Sequence, residues 1–260
     1  MRLLTSILIT FSLVACSGGN VKTQVADYKQ DNKDFEGFFA EPKTINGKVP
    51  GVLLIHEWTG LGDYIQGRTK QVAELGYVAF AMDMYGKGVR VEDHDHDKAG
   101  KLMSEYTSNK PLMISRIQNA IEILKANPNV DPNKIAVIGY CFGGGAALEY
   151  ALDGKEISAV ASFHGMLPAP TPKDAKKIKA KVAIHHGADD KFIPQKTVDQ
   201  IQKSLKDAGV KYEFFSYPGA VHAFTRPAAG TAHKAMGMAY DAPADKLSWE
   251  RLVEFLKVSL

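Results

Sequence analysis

One run of residues limits the fold of this chain more than any other: Ile135-Ala136-Val137-Ile138, then Gly139-Tyr140-Cys141-Phe142-Gly143-Gly144-Gly145, then Ala146-Ala147-Leu148-Glu149-Tyr150-Ala151-Leu152. The first stretch reads as a buried strand and the last as a helix, so the glycines mark a strand that turns sharply into a helix with Cys141 at the apex. The G-x-C-x-G spacing is that of a nucleophile elbow with sulfur in place of the usual serine oxygen. Such a turn strains its central residue and lets neighbouring backbone pack close, so the flanking positions must be small. Glycine at 139, 143, 144 and 145 meets that demand. The helix that begins at Phe142 would point its positive end at the sulfur and offer the Phe142 amide to a developing oxyanion. The alternative is a buried structural cysteine in a glycine-rich turn.

A nucleophile at an elbow needs an acid and a histidine later in the chain, in that order. After the apolar run Val182-Ala183-Ile184 come His185-His186-Gly187-Ala188-Asp189-Asp190, a strand ending in a turn that presents an acid. After the aromatic strand 212–217 come Pro218-Gly219-Ala220-Val221-His222-Ala223-Phe224, with a histidine on the following loop. Further strands are expected at 51–55, 78–82 and 159–163, with an edge strand near 35–39. Helical patterns at 65–75, 112–126, 142–152, 196–208 and 246–258 alternate with them. Such alternation predicts an α/β, doubly wound, mostly parallel sheet, with ligands beyond the carboxyl ends of its strands.

With these motifs on the page, the chain resembles the dienelactone hydrolase family, a cysteine-using branch of the α/β-hydrolases, from about Phe35 to the C-terminus. In the family's G-x-x-D-x-x-x-P turn, Gly187 and Pro194 select Asp190 over Asp189, and the G-x-x-H-x-F loop matches Gly219 to Phe224 with His222 as the base. The resemblance implies a Cys141–His222–Asp190 triad and an oxyanion hole from the amides of Phe142 and Trp58. It also implies that Glu57 keeps the resting thiol neutral and releases it to His222 when an anionic substrate binds. Arg226, four residues beyond the histidine, matches the arginine that holds the substrate carboxylate. Arg90 is the one arginine in the stretch where the family has its second clamp. Tyr140 and Phe224 are expected to line the pocket, His164 stands after its strand where it could also do so, and His185 and His186 are expected to pack. The activity implied is hydrolysis of a small lactone or carboxylic ester through an acyl-enzyme, with no metal or organic cofactor. The alternatives are a broader periplasmic carboxylesterase or thioesterase, and a non-catalytic lipid-anchored binding module on the same fold.

The N-terminus adds an address. Met1-Arg2 precedes an apolar stretch through Leu13 that is too short to span a bilayer, which reads as a signal peptide over residues 1–15. The segment Leu13-Val14-Ala15-Cys16 resembles a bacterial lipobox, which would make Cys16 the lipidated first residue, anchored at the outer membrane and facing the periplasm. Residues 16–33 read as a polar tether outside the core, leaving 34–260 as one catalytic domain. Cys16 and Cys141 are the only cysteines, so lipidation of the first removes an internal disulfide partner from the second. The net charge of +3, without an arginine stripe, argues against nucleic acid. The run Glu92-Asp93-His94-Asp95-His96-Asp97 has no metal-site spacing and reads as a solvated helix start. The Met236-Gly237-Met238 cluster suggests no chemistry, and a monomer is expected.

Overall fold

The computed structural model describes residues 10–13, as backbone, and residues 19–260. Apart from residues 10–13, the expected signal peptide and the lipidation site Cys16 lie outside the described residues. The chain divides into two compact units, residues 1–132 and 133–260.

The first unit holds strands β1 (Thr10–Leu13), β2 (Val21–Gln30), β3 (Lys33–Pro42), β4 (Val49–Ile55) and β5 (Val78–Met82), and helices α1 (Asp63–Glu74), α2 (His96–Thr107) and α3 (Lys110–Lys125). Its strands lie in the order β1-β2-β3-β5-β4, with β4 and β5 parallel and the other pairs antiparallel. Within the tether expected over 16–33, residues 21–30 are here a strand. β2 pairs along its whole length with β3 through a two-residue hairpin at Asp31 and Asn32, whose φ values of 50° and 61° suit a tight primed turn. Val21, Thr23, Ala26 and Tyr28 of β2 are buried, and Tyr28 stacks on Phe35 with ring centroids 5.3 Å apart. The segment is polar in composition because it alternates, turning only part of itself to the core. β3 is likewise not an edge strand, since it lies between β2 and β5. The acidic-histidine run does begin a helix: the Asp95 carboxylate caps α2 by accepting from the Lys98 amide.

The second unit carries most of β6 (Val130–Tyr140), then α4 (Phe142–Leu152), β7 (Ala159–Phe163), the single turn α5 (Pro172–Ala175), β8 (Lys181–Gly187), α6 (Gln195–Asp207), β9 (Tyr212–Tyr217) and α7 (Ala242–Ser259). The order is β6-β7-β8-β9, every pair parallel. Ile135–Tyr140, all of β7 and residues 182–187 of β8 are buried without interruption. Burial that ignores the two-residue period means that both faces of these strands are covered, which is why they read as continuous apolar runs. Each such Val, Leu or Ile contributes about 1.5–3 kcal/mol relative to exposure. Because all four strands run the same way, the loops after β6, β8 and β9 leave from one end, and those loops carry Cys141, Asp190 and His222.

Candidate active site

Cys141 has φ 53° and ψ −117°, a conformation that non-glycine residues avoid at a cost of about 1–3 kcal/mol. Hydrogen bonds on both sides hold it there. Its amide donates to Phe163 O at 3.0 Å, extending the β6–β7 ladder, and its carbonyl accepts from Gly144 N at 3.0 Å, opening α4. The glycines are required by contact. A Cβ on Gly139 would lie 1.9 Å from Gly143 O, and one on Gly144 would lie 2.7 Å from Ser162 Oγ and 2.9 Å from Gly165 Cα. Helix α4 can therefore start directly against β6 and the turn after β7, with Phe142 as its first residue.

The acid is Asp190. It is buried, whereas Asp189 is exposed. The Asp190 amide donates to Gly187 O, and its carboxylate accepts from Phe192 N at 2.9 Å and from His222 Nδ1 at 2.8 Å. The other ring nitrogen, His222 Nε2, lies 3.2 Å from Cys141 Sγ. A carboxylate on Nδ1 favours the proton there, which leaves Nε2 as the nitrogen that faces sulfur. Burial alone would push the His222 pKa down. The charge on Cys141 and the hydrogen bond to Asp190 reverse this and carry it up to about 10.

Other expected residues take different places. Phe224 is fully buried among Tyr217, Ala220 and Ala244, so it is a core side chain under the His222 loop rather than a pocket wall. Tyr140 is buried and stacked on Phe163 at 4.7 Å. His185, also buried, stacks on Phe163 at 4.2 Å and on Phe215 at 5.0 Å and bonds Tyr217 Oη through Nδ1, the packing role expected of it. Arg226 is half-buried, its amide closing a turn onto Ala223 O. In the first unit Glu57 is buried, Trp58 is half-buried with its ring 5.5 Å from that of His96, and Arg90 pairs with Glu36 at 3.4 Å.

Three features around His222 escaped the sequence reading. The ring of Phe192, itself about half exposed, stands nearly perpendicular to that of His222 at 5.4 Å. The His222 backbone is held on both sides, its amide donating to Gly237 O at 3.0 Å and its carbonyl accepting from Ala239 N at 3.1 Å, which gives the methionine-flanked Gly237 a structural purpose. His164 reaches the same loop through Thr225. Only the two-residue spacing of Phe192 from Asp190 hinted at any of these.

Comparison with known proteins identifies the family. The model of the dienelactone hydrolase family matches residues 35–260. Relatives from Aquifex aeolicus and Synechocystis sp., both provisionally named carboxymethylenebutenolidase, are 30% and 28% identical, over 91% and 93% of this chain and 99% and 98% of their own. A crystal structure described as a dienelactone hydrolase-like promiscuous phosphotriesterase from metagenomic libraries superposes with a TM-score of 0.86 at 32% identity, covering 93% of this chain and 99% of that one. The α/β-hydrolase fold expected from the sequence is the fold of this chain.

Proposed function

The chain belongs to the dienelactone hydrolase family of hydrolases, and we propose that it cleaves a small lactone or carboxylic ester through an acyl-enzyme on Cys141. The observation that carries this reading is the unbroken line from Asp190 through His222 to Cys141 Sγ, with 2.8 Å and 3.2 Å links, ending on a strained residue at a helix N-terminus. His222 Nε2 takes the proton from sulfur, and the thiolate adds to the ester carbonyl. The Phe142 amide stabilises the oxyanion. As the C–O bond breaks, His222 returns the proton to the departing oxygen, leaving a thioester. Water then adds with His222 as base, the C–S bond breaks, and the proton goes back to sulfur. Asp190 holds the imidazole throughout. From the family resemblance, Trp58 supplies a second oxyanion donor, Glu57 governs the resting thiol, and Arg226 meets a carboxylate on the substrate.

One observation favours neutral esters over anionic lactones: Arg90, the one arginine in the stretch where the family has its second clamp, pairs with Glu36. The deciding experiment offers purified protein and its Cys141→Ala variant a dienelactone, neutral aryl esters and an aryl phosphotriester. Cysteine-dependent turnover of the lactone alone establishes the anionic substrate, turnover of the neutral esters establishes the broader esterase, and turnover by neither route refutes the hydrolytic reading. The proposal includes a lipid on Cys16. Only residues 17–20 would then separate the membrane from β2. Detergent-phase partitioning that Cys16→Ala abolishes is the expected result.

A further inference from the structure

His164 is the first residue after β7, and its backbone sits in the left-handed region at φ 37°, where a bulky side chain is uncommon. The residue is fully buried. Its amide donates to His185 O at 2.8 Å, and Gly165 beside it packs so tightly on α4 that a Cβ there would lie 2.7 Å from Gly144 C. The turn is therefore pinned to the helix that begins at the nucleophile. From that position the His164 ring meets the His222 ring at 5.2 Å and 64° and the Phe224 ring at 5.4 Å and 79°. Its Nε2 shares a 2.7 Å hydrogen bond with Thr225 Oγ1, also fully buried, three residues beyond His222. Packing alone would be served by phenylalanine. A buried imidazole joined to a buried hydroxyl instead fixes direction, because each is costly to leave unmatched.

The geometry points to His164 as a positioning residue for His222, one that ties the base loop to the nucleophile turn through Thr225 and sets the plane of the imidazole facing Cys141 Sγ. This rests on the assignment of Cys141 and His222 under the proposed function, but its test needs no substrate. The rate at which iodoacetamide alkylates Cys141 is measured against pH in the full chain, with thermal melting alongside. Thr225→Val, which removes the hydroxyl and leaves the turn at His164 unchanged, is expected to slow alkylation at neutral pH by about tenfold, the effect of losing one buried hydrogen bond. It should also displace the midpoint of the pH profile. Thr225→Ser should restore both, and His164→Phe should match Thr225→Val, the double variant being no worse than either. If the profiles of Thr225→Val and Thr225→Ser coincide with that of the unaltered protein while only melting shifts, His164 is structural and the inference is overturned. If His164→Phe does not fold, the Thr225 pair decides alone. Failure of ester turnover with intact, Thr225-dependent alkylation would sink the hydrolytic reading and leave this one standing.

Discussion

The second unit and the first solve the same packing problem in opposite ways. In the second, β6, β7 and β8 are buried on both faces over 135–140, 159–163 and 182–187, and Gly139, Gly144 and Gly165 let backbones touch where any side chain would collide. In the first, β2 and β3 form a long antiparallel hairpin that keeps polar side chains between its buried ones and reaches inward through Tyr28, whose hydroxyl donates to Asp83 O and accepts from Asp83 N. The turn at the nucleophile is specified by backbone contact that tolerates nothing larger than hydrogen, β2 by alternation and a few directed hydrogen bonds. The difference teaches that a site needing sub-ångström placement is best built where the backbone has no slack.

The largest test of that contrast is chemical. Asp190→Asn should lower kcat on a hydrolysed ester roughly ten-thousandfold, by analogy with loss of the orienting carboxylate in other triads, while Asp189→Asn stays within about twofold. Equal losses would break the assignment of the acid. Next comes Gly139→Ala, whose Cβ would lie 1.9 Å from a backbone oxygen that cannot swing away. It should cost about 4 kcal/mol or more in urea unfolding and abolish activity. In the first unit, Gly67→Ala within α1, where a Cβ meets nothing within 4 Å, should instead stabilise by about 0.5–1 kcal/mol.

A pH series compares one buried histidine from each unit. Burial lowers His185 to about 3 and His56 to about 4 from an ordinary 6.5. Between pH 6.5 and 4 the unfolded chain binds protons at both positions that the folded chain refuses, so their contribution is whole above 6.5 and is lost as pH falls. Each contributes up to about 1.4 kcal/mol per pH unit. His222 runs the other way: raised to about 10, its contribution is whole below 6.5 and lost as pH rises toward 10. Urea midpoints from pH 7 to 4 should fall steeply, and His185→Phe should flatten the slope by about one proton. A further substitution is the most pointed about β2. Tyr28→Phe should destabilise by about 1–2 kcal/mol. No measurable change would return residues 21–30 to the status of a tether.

Legibility in the sequence followed the strength of the local constraint. The elbow was readable because strain and close approach leave glycine as the only choice at several neighbouring positions. The doubly buried strands were readable because both faces demand apolar residues. β2 was not, since an alternating strand with one buried side has the composition of a linker, and its Asp31-Asn32 turn was the one local clue. The choice of Asp190 over Asp189 came from spacing shared with a family, and the structure gives its reason in the opposite exposure of the two carboxylates.

What the chain determined by itself is therefore the set of short-range necessities: a cysteine on a strand-to-helix turn, an acid and a histidine each on the loop after a strand, and the α/β alternation that sends those loops to one end. What only the tertiary structure decided is everything that meets His222 from a distance along the chain: the Phe192 ring, the His164–Thr225 bond, and the grip of Gly237 and Ala239 on its backbone. The physical reason is that strain and periodicity act between neighbours in sequence and leave their mark there, whereas an edge-to-face ring or a backbone hydrogen bond between residues distant in the chain asks for no particular residue type until the fold has brought the partners together.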